Sequence, residues 1–226
     1  MNVGRLDAIA GSLLGAAVFR FLSHAGMVLL AVFNETWPQA SIQDPILDWV
    51  PHVGWIDAFN YHLWLVAYLP LWVWLWRADR RAFVHFLQVG GVLSLLRGVC
   101  IVLVDLGPVH GADVNAGMPA GEVWGVWAQL INPFPTFSGD GAHLHLTKDL
   151  FFSGHTASTF LLMLYMRRMG PWAGRVATAA HVFVVATVFL AHLHYTIDVV
   201  GAWVITAALF AASVRWWPGM EQVRRA

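Results

Sequence analysis

Residues 176–216 read VATAAHVFVVATVFLAHLHYTIDVVGAWVITAALFAASVRW, two long apolar runs joined by a short polar link. A helix that crosses the bilayer core, which is about 30 Å thick, needs about 20 largely apolar residues. The pattern therefore predicts two membrane-spanning helices, Val176–His192 and Thr196–Trp216. His194 and Asp198 then lie where the two spans meet, at the edge of the membrane.

Further apolar runs precede this pair and predict an all-α integral membrane protein, a six-helix bundle in a single domain over residues 1–226. Composition agrees, because 58% of the residues are hydrophobic and 12% are charged, against about 25% charged in soluble domains. The formal net charge of zero argues against a nucleic-acid partner. The other predicted spans are Ile9–Phe33, His62–Trp76, Phe83–Leu106 and Leu150–Met166.

Basic residues mark one side of the predicted bundle. Arginines are concentrated in two short turns, at residues 77–81 and 167–175, and near both chain ends. The long segments 34–61 and 107–149 are acidic, with Lys148 as their one lysine or arginine. Since positive charge accumulates in cytoplasmic loops, both termini are expected in the cytoplasm, and the long segments in the periplasm, lumen or exterior. The short termini favour a bacterial inner membrane.

Two features of the long segments have ordinary explanations. Asn34-Glu35-Thr36 matches the N-x-T glycosylation pattern on the predicted outer side, and its use would depend on the organism. The tryptophans on that side are better explained as an aromatic belt at the membrane interface than as a cage that binds a quaternary ammonium. They are Trp37, Trp49, Trp55, Trp124 and Trp127.

The spacing of His194 and Asp198 would put them on one face of a helix. A carboxylate there can accept the proton of one imidazole nitrogen and leave the other nitrogen free to attack. The same pair could instead cap a helix near the interface. The spacing alone leaves both interpretations open.

Ser153-Gly154-His155-Thr156 stands near the start of another predicted span. The first turn of a helix has unpaired N–H groups and a partial positive charge, which favour phosphate. Gly154 would let an anion approach the backbone, and His155 could protonate a leaving oxygen as a general acid. The alternative is a serine N-cap followed by an unrelated histidine.

Arg97 lies within an apolar span, where an arginine costs roughly 2.5–3.5 kcal/mol at mid-helix and less near an edge. It stands near the outer end of Phe83–Leu106. There it could clamp a phosphate bidentately, or it could snorkel or pair with Asp105.

Together these segments resemble the phosphatidic-acid phosphatase type 2 superfamily of membrane lipid phosphatases and phosphotransferases, most closely its sphingomyelin-synthase-like branch. The resemblance covers residues 94–203. The branch's D-x-x-x-S-G-H-T motif is matched by Asp149, Ser153, Gly154, His155 and Thr156. Its H-Y-T-x-D motif, with an upstream histidine, is matched by His192, His194, Tyr195, Thr196 and Asp198. A third motif is approximated by Arg97, Leu106 and Pro108, with Gly107 interrupting the Leu-Pro pair.

The chain departs from the family pattern at several positions. Phosphatase members carry an arginine six residues before the nucleophilic histidine, where this chain has Val188, and their Lys-x6-Arg-Pro motif is absent here. These differences favour the synthase-like branch over a plain lipid phosphatase. Thr147 and Lys148 replace the cysteine and glycine that precede the branch's aspartate, so the branch's substrate does not transfer directly.

The resemblance implies that a phospho-head-group moves from a glycerophospholipid to the hydroxyl of a lipid acceptor, ceramide or diacylglycerol. His194 would attack phosphorus, Asp198 would orient His194, and His155 would be the general acid and base. The phosphate-binding residues would be Arg97, Ser153, Gly154, Thr156, Asp149, His192 and Tyr195. No cofactor and no metal is implied, because the sequence lacks a carboxylate cluster suited to Mg²⁺ and zinc-site companions for the histidines.

Two other functions stay open. A lipid phosphate phosphatase or phospholipase C-type hydrolase would use the same His-His-Asp site and let water resolve a phosphohistidine. A transporter or scaffold would use the polar groups as a pathway or to hold helices together. That second reading leaves the match of three motifs on one membrane face unexplained.

Overall fold

The computed structural model describes residues 3–132 and 146–216, with side chains for residues 12–132 and 146–215. Regular structure within these ranges is helical, with seven α-helices and a 3₁₀ turn at Leu47–Trp49. The helices are α1 (Val3–Glu35), α2 (Gly54–Ala78), α3 (Arg80–Val104), α4 (Val123–Leu130), α5 (Gly154–Met169), α6 (Pro171–Leu190) and α7 (Thr196–Trp216).

Four of these helices are long and apolar enough to cross a membrane, so the protein is a multi-pass membrane protein, as its sequence predicts. The four segments are Ser12–Glu35, Arg80–Val104, Pro171–Leu190 and Thr196–Arg215. The other two predicted spans fall on α2 and α5. Helix α5 has 16 residues, a rise of about 24 Å, and α2 contains Pro70. The six-span arrangement therefore stays a prediction.

Polar caps set helix starts that apolar runs do not show. Helix α5 begins after Ser153, later than the predicted start at Leu150, because the Ser153 hydroxyl accepts the Thr156 N–H at 3.3 Å. Helix α3 begins directly after Asp79, whose carboxylate accepts two first-turn N–H groups at 2.9 and 3.0 Å. A helix start is thus a property of one side chain and its hydrogen bonds, whereas hydropathy is averaged over many residues.

The core lies between α3, α5 and α7, where Phe83, Leu162 and Met166 are buried. Helix α1 packs along α3, and α5 packs against both α6 and α7. Close approach of α1 requires Gly98 on α3, since a Cβ there would lie 3.1 Å from the Met27 Cα. This packing brings the C-terminal half of α3 to the start of α5.

The two arginine-rich turns lie at the opposite end of the bundle from Ser153 and His194. Gly170 joins α5 to α6 with φ +141°, so both helices have their arginine-bearing ends there and their other ends near the α6–α7 link. Asp79 joins α2 to α3, and the far end of α3 carries Arg97, which contacts the segment before α5. Basic turns and candidate motifs therefore occupy opposite ends.

A buried ionic network joins the end of α1 to the segment before α5. The Lys148 ammonium, 1% exposed, lies 2.7 Å from Asp113 Oδ1 and donates to the Glu35 carbonyl at 2.8 Å. The fully buried Glu35 carboxylate accepts the Lys148 N–H and the side chains of Asn115 and Thr147, both at 2.8 Å. Buried charges persist when they are paired and hydrogen-bonded in this way.

Asn34, the asparagine of the glycosylation pattern, is buried in α1 with 3% of its surface exposed. Its Nδ2 donates to the Lys148 carbonyl at 3.2 Å. The side-chain nitrogen that would carry a glycan is therefore inaccessible in the folded protein.

Candidate active site

The link between α6 and α7 carries His194 and leads into Asp198, in the first turn of α7. His194 precedes the helix, so the two side chains meet at the helix N-terminus. The spacing had predicted instead that they would share one face of a helix. Asp198 Oδ2 accepts the Tyr195 N–H at 2.9 Å, and the Asp198 N–H donates to the Tyr195 carbonyl at 3.0 Å. The first bond is the carboxylate half of a capping box and the second closes a backbone turn, and together they hold the carboxylate next to His194.

His194 Nδ1 lies 3.5 Å from Asp198 Oδ2, longer than the roughly 2.7–3.2 Å of an ordinary N–H···O hydrogen bond. Both residues are buried, with 5% and 0% of their surface exposed. Asp198 Oδ1 is also buried and has no hydrogen-bond partner among the described residues. A shift of a few tenths of an ångström would close a bond that holds the Nδ1 proton and leaves Nε2 free.

The start of α5 lies against the start of α7. The Ser153 N–H donates to the Asp198 carbonyl at 3.1 Å, so two motifs distant in the chain share a hydrogen bond. Thr156 is fully buried, and its hydroxyl has no hydrogen-bond partner in the part of the chain that the structure describes. His155 is half-buried at this junction, and its ring stands nearly perpendicular to the Trp64 indole with centroids 5.6 Å apart.

Arg97 is buried beside the α5 N-terminus and is held by protein groups. Its Nη2 contacts Asp149 twice, at 2.8 Å from Oδ1 and 2.9 Å from the carbonyl, and its Nε donates to the Phe152 carbonyl at 2.6 Å. The ion pair forms with Asp149 and not with Asp105, which was one of the alternatives to phosphate binding that the sequence left open. A Cβ at Gly154 would lie 3.1 Å from the Arg97 Cζ, so glycine lets the guanidinium approach the helix start.

This geometry combines an imidazole–carboxylate pair, a second histidine and a fixed guanidinium at two adjoining helix N-termini. Residues 148–215 match the family model "PAP2 superfamily C-terminal", and this range contains both motifs. The C-terminal part of the chain therefore resembles the PAP2 superfamily.

Curated relatives of the chain are named as cholinephosphotransferases and as a sphingomyelin synthase-related protein. It is 27% identical over 210 residues to phosphatidylcholine:ceramide cholinephosphotransferase 1 of Rattus norvegicus, covering 84% of this chain and 47% of the relative. It is 28% identical over 207 residues to sphingomyelin synthase-related protein 1 of Homo sapiens, covering 85% and 48%. It is 26% identical over 196 residues to phosphatidylcholine:ceramide cholinephosphotransferase 2 of Homo sapiens, covering 80% and 53%. The chain thus spans about half the length of these relatives.

Two residues of the PAP2-like motifs direct their polar atoms to the long loops, at residues 42–50 and 107–108. His192 Nε2 lies 2.8 Å from the Val50 carbonyl. The Tyr195 hydroxyl contacts the Gly107 and Pro108 carbonyls at 3.1 and 3.0 Å and accepts the Ile42 N–H at 3.2 Å. These contacts hold the loops against the α6–α7 link. A role of the two residues in binding phosphate stays a prediction.

The structure adds Asp44 to the surroundings of the PAP2 motifs. Burial alone would raise the pKa of Asp44, but hydrogen bonds from Thr196, Ile46 and Leu47 outweigh it and lower that pKa. The Thr196 contact joins residues 152 positions apart. No local sequence pattern could have indicated it.

Trp64 is also near the motifs but was not among the site residues predicted from the sequence. Its indole N–H donates to Ser158 Oγ at 3.1 Å, which holds the ring against His155, and the ring also stacks on Tyr68 with centroids 4.8 Å apart. A tryptophan in a membrane helix gives no signal that separates a contact with a motif histidine from ordinary packing.

Proposed function

We propose that this protein is a membrane lipid phosphotransferase that moves a phospho-head-group from a glycerophospholipid to the hydroxyl of a lipid acceptor. The observation that carries the proposal is the Ser153 N–H to Asp198 carbonyl hydrogen bond, which joins the S-G-H-T and H-Y-T-x-D segments into one site. The names of the curated relatives make phosphatidylcholine the first donor to test and ceramide the first acceptor, with diacylglycerol as the second.

His194 acts as the nucleophile in the proposed mechanism. Its Nε2 attacks phosphorus while Asp198 holds the Nδ1 proton. The bond from phosphorus to the diacylglycerol oxygen breaks, and protonated His155 gives that oxygen its proton. His155, now neutral, takes the proton of the acceptor hydroxyl. The acceptor oxygen then attacks phosphorus and releases His194 with its original protonation.

Two positive features would stabilise the charge on phosphorus. The N-terminus of α5 presents unpaired backbone N–H groups and a partial positive charge. Arg97, fixed by Asp149 and Phe152, holds its guanidinium within close contact of Gly154. Donors that are already positioned need not reorganise as charge develops, and burial strengthens their effect.

The buried environment of Val188 supports a transferase over a plain phosphatase. This position, six residues before His194, carries an arginine in the phosphatase pattern. Here Val188 is fully buried in an apolar cluster with Val184 and Val199. A charged side chain would be unpaired in that cluster, which supports the proposal that the site differs from the phosphatase arrangement.

The proposed orientation has six spans, both termini in the cytoplasm and the site facing the outer leaflet. It is supported by the position of the arginine-rich turns at the end of the bundle opposite Ser153 and His194, together with the positive-inside rule. A bacterial inner membrane is the proposed location.

The test is turnover by the purified protein in liposomes. Head-group-labelled phosphatidylcholine would be supplied with ceramide, with diacylglycerol or with neither, and the products separated. Transfer of label to the acceptor lipid is expected, and His194→Ala should abolish it without loss of folded protein. Release of labelled phosphocholine to water would support the hydrolase instead. No turnover of any glycerophospholipid by well-folded protein would overturn the proposal.

A further inference from the structure

The segment between α1 and α2 lies along the α6–α7 link. Residues 42–53, termed the strap below, follow the link in the opposite chain direction. The Val53 N–H donates to the Leu190 carbonyl at 2.7 Å, and the Val50 carbonyl contacts His192. Ile42 and Asp44, at the other end of the strap, contact residues that follow His194. The strap therefore holds the chain on both sides of His194.

Asp44 makes the polar contact of the strap with the start of α7. Its Oδ2 accepts the Thr196 N–H at 2.5 Å, and its Oδ1 accepts the Thr196 hydroxyl at 3.1 Å. Oδ1 also accepts the N–H groups of Ile46 and Leu47, at 3.0 and 3.4 Å. One carboxylate thus caps a turn of the strap and the first residue of α7 at the same time.

This arrangement divides the first N–H groups of α7 between two carboxylates. Asp198 accepts the Tyr195 N–H, and Asp44 accepts the Thr196 N–H. Without Asp44 the Thr196 N–H would lose its acceptor. An unpaired N–H at a helix start is stabilised by donating to a nearby side-chain oxygen. Asp198 has such an oxygen, because its Oδ1 is buried with no hydrogen-bond partner among the described residues.

We propose that Asp44 is a positioning residue for the His194–Asp198 pair: by capping Thr196 it leaves the Asp198 carboxylate to orient His194. The inference rests on the proposed function for its effect on turnover. Its effect on the α7 start is independent of any activity.

The experiment compares Asp44→Ala and Asp44→Asn with the control Asp48→Ala. Asp48 is an exposed residue of the same segment, so the control removes an equal charge. For Asp44→Ala, kcat of head-group transfer should fall about 100-fold, the scale of a 1 Å misplacement, while KM for the donor stays within about twofold. Asp44→Asn retains one acceptor oxygen and should fall between Asp44→Ala and the wild type. Asp48→Ala should match the wild type.

Hydrogen exchange of the peptide that contains Thr196 provides a readout that needs no turnover. Asp44→Ala should speed exchange of this peptide relative to the wild type and to Asp48→Ala, and Asp44→Asn should speed it less. Unchanged exchange in Asp44→Ala would overturn the inference, as would a kcat equal to that of Asp48→Ala. Loss of kcat equally in Asp44→Ala and Asp48→Ala would also overturn it. If the wild type turns over no lipid, the proposed function fails, and exchange alone decides the role of Asp44.

Discussion

Asp198 is both a helix-capping residue and the proposed partner of His194. Asp198 Oδ2 faces both the Tyr195 N–H and His194 Nδ1. An asparagine with its oxygen at this place would keep the cap but lose the negative charge, and one with its amide there would donate to Nδ1 and favour the wrong tautomer. In the Ser-His-Asp triad this change lowers kcat about 10⁴-fold. Asp198→Asn should therefore lower kcat of head-group transfer by about 10³–10⁴-fold in liposome assays, with little change in thermal stability. A kcat within tenfold of the wild type would contradict the orienting role.

Gly154 tests whether the position of Arg97 matters. A Cβ at this residue would lie 3.1–3.4 Å from the Arg97 guanidinium carbon and nitrogens, so Gly154→Ala should displace the guanidinium from the α5 start. KM for the donor lipid should rise, as measured by initial rates over a range of donor mole fractions. Gly125→Ala is the matched control, because a Cβ there meets nothing within 4 Å. Equal KM values for the two variants would exclude a role for the Arg97 position.

Asp44 should make stability depend on pH in a defined direction. Its pKa is lowered in the folded protein, since its hydrogen bonds outweigh its burial. Such a carboxylate stabilises the fold above its unfolded pKa, about 3.9, and the effect is lost as pH falls through the folded pKa. Wild type should melt at a higher temperature than Asp44→Ala at pH 7, and the difference should shrink below about pH 4. A difference that is constant between pH 7 and 3.5 would contradict the prediction.

Among the helices, the sequence predicted the features that depend on residues close together in the chain. Apolar runs identified α3, α6 and α7 because hydropathy is summed within one segment, and the motif residues of α5 and α7 meet as the topology indicated. The partners of Asp44 and Lys148 could not be predicted, because their contacts join residues 152 and 113 positions apart. Lys148 in particular resembled a loop lysine and is in fact a buried one.

The junction of α1 with the segment before α5 depends on Lys148. Lys148→Met would remove the cation that pairs with the Asp113 carboxylate and lies near the Glu35 carboxylate, and breaking a buried pair costs about 3–5 kcal/mol. Denaturant unfolding in detergent should show a loss of this size. Adding Glu35→Gln should recover part of it, because one buried charge is removed. Arg175→Met, at an exposed position, should stay within about 0.5 kcal/mol of the wild type, and an equal loss in both variants would contradict the role of the network.

The whole molecule is polarised along the bundle. Arginine-rich turns lie at one end and the His194–Asp198 pair at the other, while large apolar side chains such as Leu103, Val66 and Val204 are 63–75% exposed on the helix surfaces. In a bilayer this outer surface contacts lipid, and polar groups concentrate at the end where the strap and the ionic network tie the loops together. In the proposed function, the lipid donor would reach the site from one leaflet.

Which leaflet supplies the donor is a prediction about the whole molecule, and cysteine labelling tests it. In a Cys100→Ser background, Asp48→Cys would probe the site end and Arg175→Cys the arginine-rich end, since both positions are exposed. With a membrane-impermeant maleimide and sealed right-side-out vesicles, Asp48→Cys should react at once, and Arg175→Cys only after permeabilisation. The reverse order would place the site on the cytoplasmic leaflet. It would overturn the orientation but leave the contacts among Ser153, His194 and Asp198 unchanged.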